Sequence, residues 1–131
     1  MILNYISIGQ FSKRTGLSIR ALRLYDAEQL LEPSRVDPNS GYRYYTGDQI
    51  AAGHLIRQLR SCEMPLDQVR IVMREPLRAR GELLTHKAHL EQRLSDHQQM
   101  LETLDALVIQ RTGHFENQIQ VGGRAADRAD S

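Results

Sequence analysis

Two arginines occupy neighbouring turns of a segment whose residue types suit recognition of DNA. Arg20 and Arg23 are three residues apart, and helical periodicity places them on one face with Leu24, opposite Ile19 and Leu22. A guanidinium can fork onto a guanine edge or a phosphate, and the major groove of DNA admits one helix. Two surface arginines alone more often form a solvated basic face, so this interpretation depends on the neighbouring elements.

A second set of hydrogen-bond donors follows in residues 34–45. Two β-prone segments flank the dense turn signal Asp37–Gly41, which predicts a small hairpin. The donors are Arg35, Tyr42, Arg43, Tyr44 and Tyr45. Alternation along a strand places Arg43 and Tyr45 on one face and the other two tyrosines on the opposite face. One face can therefore pack inward, with at least one tyrosine in the core, while the other contacts phosphates and fixes the register of the protein on DNA.

Two short helices are predicted ahead of this hairpin. Ser7 is a candidate N-cap, and Gly16 can end the first helix in a left-handed conformation. Ser18, only two residues further on, is a second candidate N-cap. Two helices joined by so tight a turn indicate a helix-turn-helix, and the hairpin that follows it is then a wing.

Two further helices complete the predicted DNA-binding domain, residues 1–75. Thr46 can cap a third helix. Pro65 lies where a fourth helix would begin, and Pro76 would end it.

Residues 77–112 predict one long helix that forms a dimer. At about 1.5 Å per residue it would reach roughly 50 Å, far longer than so small a core needs. Leucines and other residues repeat in alternating steps of four and three, with Lys87 and His97 as the polar interruptions. A partner helix from a second subunit is the simplest cover for the seam Leu83, Leu90, Leu94, His97, Leu101, Leu104 and Val108. The alternative, a hairpin within one chain, lacks a second helix of matching length. Residues 113–131 are predicted to be a short disordered tail.

Three ordered segments resemble a known family. Ile6–Asp26, Leu30–Pro33 and Arg35–Thr46 are similar to the N-terminal domain of the MerR family of bacterial transcription regulators, and Val36–Thr46 is most similar to its branch that responds to lipophilic drugs. The similarity covers about residues 5–75. It implies a mainly α fold, in which a winged helix-turn-helix is followed by a dimerisation helix that forms an antiparallel coiled coil.

The resemblance also implies a function and a set of contacts. A homodimer would bind a palindromic operator in double-stranded promoter DNA and distort it, which realigns the promoter elements for RNA polymerase. The implied DNA-binding residues are Ser18, Arg20, Arg23, Leu24, Tyr25, Arg35, Tyr42, Arg43, Arg57 and Arg60. Leu24 departs from the family, which usually has a tyrosine there. Leucine cannot donate to a phosphate, although it can touch a thymine methyl group.

Composition excludes several classes of protein. The net charge is only +1, and residues 1–75 carry ten basic against eight acidic side chains, so the prediction rests on where the arginines lie. No apolar run approaches the roughly 20 residues that span a bilayer, and no signal peptide is recognisable, which predicts a cytoplasmic protein with no membrane partner. A single cysteine excludes an intramolecular disulfide framework and a multi-cysteine metal centre.

The residues that could sense a signal are few, and no metal or cofactor is predicted. Cys62, in the turn between the third and fourth helices, is a candidate thiol sensor, although a part-buried structural role is more common. Glu82, His86 and His89 share a helix face at a metal-ligand spacing, and a solvated flank is the favoured interpretation. The 19 residues after Thr112 are too few to enclose a drug-sized pocket, so a small-molecule effector would bind between the coiled coil and the DNA-binding domains, or none binds.

Other functions are weaker interpretations of this sequence. It has no glycine-rich phosphate loop, nucleophile elbow or pair of carboxylates that would indicate an enzyme. An architectural, excisionase-like DNA-binding protein would share the wing, but such proteins usually stop near it. A ligand-independent repressor without a sensor is a third alternative, which the sequence does not separate from an inducible activator.

Overall fold

A computed structural model describes residues 4–122, and the side chains of residues 4–112. The elements in chain order are β1 (Tyr5–Ser7), α1 (Ile8–Thr15), α2 (Ile19–Ala27), β2 (Arg35–Val36), β3 (Arg43–Thr46), α3 (Gln49–Ser61), α4 (Leu66–Arg74) and α5 (Pro76–Gly122). The chain divides into two compact units, the first ending at Leu84 and the second beginning at Thr85. The fold is mainly helical, as predicted. Among the described residues, no helix is long and apolar enough to cross a membrane.

Local capping chemistry sets the helix-turn-helix. The Ser7 hydroxyl accepts a hydrogen bond from the Gln10 amide at 3.2 Å, and the Ser18 hydroxyl accepts one from the Ala21 amide at 3.0 Å. Gly16 has φ +77°, and its amide donates to the carbonyl of Ser12 at 2.9 Å, which closes the end of α1. Both predicted N-caps and the predicted left-handed glycine are therefore confirmed.

A small antiparallel sheet follows, with strand order β1-β3-β2. Ile6 pairs with Tyr45, and Arg35 pairs with Tyr44. The hairpin expected in residues 34–45 is present, and a strand ahead of α1 extends it. The sequence did not predict β1 because three residues are too few for an alternating pattern to be recognised.

One hydrophobic core lies between this sheet and helices α1 to α4. Its largest fully buried side chains are Tyr45, Phe11, Leu22, Ile56, Met64 and Val69. The Tyr45 ring stacks on the Phe11 ring, with centroids 4.2 Å apart and an angle of 9° between the planes. One tyrosine of the wing therefore fills the core, as the sequence predicted.

The third helix begins later than predicted. Thr46 was expected to cap it, whereas α3 begins at Gln49. The Gln49 side chain reaches back and accepts a hydrogen bond from the Thr46 amide at 3.0 Å, which is one half of a capping box. Its amide nitrogen also donates to the carbonyl of Glu32 at 2.6 Å, so Gln49 joins the start of α3 to the loop before the wing.

The long helix ends later than predicted. The sequence placed its end at Thr112, but α5 continues to Gly122. A single glycine such as Gly113 weakens a helix by about 1 kcal/mol, which does not suffice to end a long one. The tail predicted from residue 113 therefore does not begin there; its last part, residues 123–131, lies outside the described residues, and its disorder stays a prediction.

The close approach of α1 to α3 at Gly53 leads to a prediction about stability. A Cβ atom at Gly53 would lie 2.6 Å from Cγ2 of Thr15, whereas one at Gly81 would meet nothing within 4 Å. We expect Gly53→Ala to lower the free energy of unfolding by about 1–3 kcal/mol, because overpacking exceeds the gain in helix propensity. Gly81→Ala is the matched control and should raise it by about 0.5–1 kcal/mol.

Urea unfolding followed by tyrosine fluorescence measures this difference, since all five tyrosines lie between positions 5 and 45. The variants are compared at one protein concentration. Equal or greater stability of Gly53→Ala would contradict the prediction.

Candidate nucleic-acid interface

Helix α2 presents one exposed face that carries both arginines. Leu22 and Tyr25 are buried, whereas Arg20, Arg23 and Leu24 are exposed. Successive residues turn by about 100° around a helix, so the exposed side chains cover one continuous arc. The predicted outward face of this helix is therefore confirmed.

Ile19 and Tyr25 lie elsewhere than the sequence suggested. Ile19 was expected on the face of α2 opposite the arginines, together with Leu22, but it is 40% exposed at the edge of the face that carries Arg20 and Arg23. As the first residue of α2 it lies beyond the contact with α1. Tyr25 was expected to face DNA, but it is 5% exposed in the core, and this expectation is wrong for its ring. Its position three residues after Leu22 places both on the buried face.

The two arginines of this face have no protein partner within the described part of the chain. No hydrogen bond or ion pair of Arg20 or Arg23 occurs there, and both residues are exposed. Ser18 is exposed at the start of the same helix, although its hydroxyl already accepts from the Ala21 amide. Unpaired guanidiniums on a capped helix are suited to bind an external anion.

The wing places Arg43 and Tyr45 on its inner face, as strand alternation predicted. Arg43 Nε donates to Asp26 Oδ2 at 2.7 Å, and both side chains are partly buried. This charge-assisted bond joins the wing to the last turn of α2. The sequence assigned Arg43 to DNA alone and did not identify Asp26. The contact of Arg43 with DNA stays a prediction. Its bond to Asp26 gives it a second role, which is to position the wing against α2.

A cleft of about 340 Å³ separates the wing from α2. Its walls are Ile8, Arg23, Ser40, Gly41, Tyr42 and Arg43. Two arginines and the wing turn therefore border one concave surface. Tyr42 is 62% exposed at its rim, where its phenol can donate to a ligand. Arg23, which has no protein partner among the described residues, offers this cleft a charged donor for a phosphate group.

The wing turn contains a carboxylate, Asp37, that backbone amides of the same turn bind. The Asp37 carboxylate accepts hydrogen bonds from the amides of Asn39 at 2.8 Å and Ser40 at 3.4 Å. These backbone bonds hold the pKa of Asp37 below its usual value. Gly41, at φ +76°, completes the turn. The turn is ordered by its own contacts, which helps to position Tyr42.

The outer face of the wing carries an aromatic and cationic cluster. The Arg35 guanidinium lies 5.8 Å from the centroid of the Tyr5 ring, and Tyr5 contacts the edge of Tyr44 at 6.3 Å between centroids. Arg35 is exposed and can therefore reach a phosphate, and its contact with DNA stays a prediction.

The two arginines of α3 differ in their surroundings. Arg57 is exposed and lies against the helix-turn-helix turn, since a Cβ at Gly16 would be 2.7 Å from its Nε atom. Arg60 Nη1 instead donates to the carbonyl of Met64 at 2.7 Å and stabilises the turn after α3. The prediction of a DNA contact is therefore better founded for Arg57 than for Arg60.

Sequence reasoning missed the residues that hold the end of α2. Arg70 Nη2 donates to the carbonyl of Glu28 at 2.7 Å, and Arg74 donates to the carbonyl of Gln29. The last turn of α2 has no basic residue of its own, so two arginines of α4 supply the positive charge that a helix C-terminus favours. The absence of a basic residue from the last turn of α2 was the sequence feature that could have indicated these partners.

The candidate sensors are as follows in the structure. Cys62 is exposed directly after α3. The Glu82 carboxylate contacts Arg78 and Gln68, each at 3.1 Å. Among the described residues, no group of three histidine, cysteine or acidic side chains could hold a metal ion.

Residues 6–76 match the model of the MerR HTH family regulatory protein. A multidrug-efflux transporter 1 regulator of Bacillus subtilis is 43% identical over 67 residues, which are 51% of this chain and 24% of that protein. The HTH-type transcriptional regulator CueR of Yersinia pestis is 32% identical over 109 residues, 78% of each protein.

A solved structure of EcmrR in complex with DNA has a similar fold. Its TM-score is 0.74 at 24% identity, over 82% of this chain and 40% of that one. The chain thus spans about a quarter of the first relative and two fifths of this neighbour.

The buried hydroxyl of Tyr45 leads to a prediction about pH. It has no hydrogen-bond partner among the described residues, and burial raises the pKa of Tyr45 to about 12, with a further rise from the Asp26 carboxylate that Arg43 opposes. Tyr45→Phe should raise the free energy of unfolding by about 1 kcal/mol at pH 8, because an unsatisfied buried hydroxyl is removed.

The difference in the free energy of unfolding between Tyr45→Phe and the wild type should increase with pH. The pKa in the folded state lies above that of an unfolded tyrosine, so the wild type loses stability as the pH rises from about 10 towards 12, and the variant does not. Between pH 9 and 11 the difference should grow by about 1 kcal/mol in urea unfolding. Tyr42→Phe removes an exposed hydroxyl, so its free energy of unfolding should change with pH as that of the wild type does. If the stability of Tyr45→Phe also changes with pH as that of the wild type does, the buried Tyr45 hydroxyl is not the cause.

Proposed function

Because the chain belongs to the MerR HTH family of regulatory proteins, whose model matches more than half of its 131 residues, we propose that it is a transcription regulator which binds promoter DNA as a homodimer. The family consists of regulators rather than enzymes. We further propose that the operator is palindromic and that binding distorts it.

One observation carries the DNA-binding part of this proposal. Arg20 and Arg23 extend from one exposed face of α2 and have no protein partner in the described part of the chain. A bidentate arginine–guanine contact discriminates against other bases by about 1–3 kcal/mol.

The wing supplies contacts that position this helix. Tyr42 and Arg35 are exposed donors, and Arg43 borders the cleft beside Arg23. Contacts with phosphates would fix the depth and angle of α2 without reading the bases. The structural neighbour that was solved with DNA supports this use of the fold.

The long helix supports the dimer. Its seam is exposed in the single chain: Leu94 and Leu101 are each 60% exposed, and Val108 is 61% exposed. A second copy that covers these side chains would contribute about 1.5–3 kcal/mol for each leucine buried. His97 and Lys87 interrupt the seam, and polar residues there fix the register at a cost in stability. The antiparallel arrangement is implied by the resemblance to the family and is part of this proposal.

A two-fold symmetric dimer favours a palindromic operator, since each half-site receives the same α2. Bending or untwisting a site of this length costs about 1–10 kcal/mol, and the contacts of both subunits would offset it. The regulator would then influence RNA polymerase through the shape of the promoter. We place it in the bacterial cytoplasm, with a small-molecule effector or the Cys62 thiol as the candidate signal.

The arginine face predicts a specific loss of binding. We expect the protein to bind the DNA upstream of its own gene with log affinity falling steeply against log salt, by about 0.9 for each neutralised phosphate. The double variant Arg20→Ala, Arg23→Ala should weaken binding at least about 100-fold, because two contacts of about 1–3 kcal/mol are lost per half-site. Fluorescence anisotropy of a labelled fragment measures both effects.

Arg80→Ala is the matched control, since it removes an exposed arginine from α5 and should change affinity little. Equal, weak binding to random DNA would favour an architectural protein. Absence of binding at low salt would refute the proposal.

The seam predicts the oligomeric state. Leu94→Asn together with Leu101→Asn should weaken dimerisation by about 10,000-fold, because the dimer loses four buried leucines of about 1.5 kcal/mol each. Sedimentation equilibrium measures the dissociation constant. Gln99→Asn with Thr103→Asn, on the opposite face of α5, is the control and should leave the dimer intact. A monomeric wild type, or equal constants for the two double variants, would exclude this seam as the interface.

A further inference from the structure

An exposed leucine lies within the arginine face of α2. Leu24 is 46% exposed, four residues after Arg20 and one residue after Arg23. Residues four apart on a helix are neighbours, with Cβ atoms about 5–6 Å apart. Leu24 therefore adjoins Arg20, whereas Arg23 lies about 100° away around the helix, on the side that borders the wing cleft.

The chemistry of this side chain limits what it can contact. If the arginine face enters a major groove, Leu24 loses water but can neither donate nor accept a hydrogen bond. The floor of the major groove offers one apolar group, the C5 methyl of thymine. A phosphate or a guanine edge would leave the leucine next to a desolvated polar surface, which is unfavourable.

We propose that Leu24 determines part of the sequence specificity by contacting a thymine methyl group in each half-site. The proposal rests on the proposed DNA-binding function and deepens it. The thymine lies within about two base pairs of the position that Arg20 contacts, because the base-pair rise is about 3.4 Å and the two side chains are neighbours.

A contact with another protein fits the surroundings less well. Leu24 lies beside Arg20 at the edge of the arginine face, and a single exposed leucine does not form the contiguous patch of several hundred Å² that marks a protein interface. The methyl contact needs only a single apolar side chain of this size.

The test removes one methyl group at a time from the DNA. The full chain first selects its preferred sites from a random double-stranded library. Each thymine of the selected site is then replaced by deoxyuridine, which deletes the C5 methyl and keeps the base pair. Anisotropy gives the affinity of the wild type, Leu24→Ala and Leu55→Ala for each duplex; Leu55 is an exposed leucine of α3 and serves as the control.

The expected result is a coupling between one thymine and one residue. Uracil in place of that thymine in one half-site should weaken wild-type and Leu55→Ala binding by about fourfold, and uracil in both half-sites should weaken it by about 15-fold. Leu24→Ala should bind the thymine and uracil duplexes equally. That position should lie within two base pairs of the one whose preference is lost in Arg20→Ala.

Two results would overturn the inference, and they are distinguishable from failure of the proposed function. The inference is wrong if no thymine is sensitive to uracil, or if the same thymine stays equally sensitive in Leu24→Ala. If the library yields no preferred sequence, the proposed sequence-specific function fails, and this inference fails with it. Because Leu24 is exposed, Leu24→Ala should keep the wild-type melting temperature, which separates a lost contact from a lost fold.

Discussion

The hydrogen bond between Arg43 and Asp26 determines how the wing lies against helix α2. It is short, at 2.7 Å, and its two side chains are only 32% and 21% exposed, so water competes weakly for either partner. A hydrogen bond to a charged group contributes about 1.5–3 kcal/mol in such a setting. Asp26 directly follows Tyr25, and Arg43 precedes Tyr45 by two residues, so each partner lies within two positions of a buried tyrosine. The two sides of the cleft that Arg23 and Tyr42 line are therefore held in place by residues next to the core.

Helix α2 is held at both ends by hydrogen bonds with residues that lie outside the helix. Ser18 satisfies an amide at its start, and the arginines of α4 bind the carbonyls of Glu28 and Gln29 at its end. The last of these residues has φ +56°, and its carbonyl accepts a hydrogen bond from Arg74. A helix held in this way loses little conformational freedom when its exposed face binds a ligand. Rigidity therefore favours affinity without further contacts.

The residues that cap helices could be predicted from the sequence, whereas the pairing of side chains far apart in the chain could not. Ser7, Ser18 and Gly16 act within four residues of themselves, so their roles followed from residue type and spacing. Asp26 and Arg43 are 17 residues apart and meet only after the wing folds. Tyr25 was assigned to DNA by resemblance, although its spacing from Leu22 already indicated the core. The sequence placed the end of α5 at Thr112, whereas the helix continues to Gly122, through a segment without a proline to stop it.

A net charge of +1 is compatible with an interface for DNA, because charge acts locally. At physiological ionic strength, exposed charges are screened beyond about 8 Å, so carboxylates far from α2 hardly affect a phosphate at its surface. Nearby, Asp26 is bound by Arg43, and Asp37 is occupied by backbone amides. The acidic groups beside the interface are therefore engaged, while Arg20 and Arg23 remain unpaired within the described residues. The arrangement of the pairs, more than the total charge, makes this surface suited to an anionic groove.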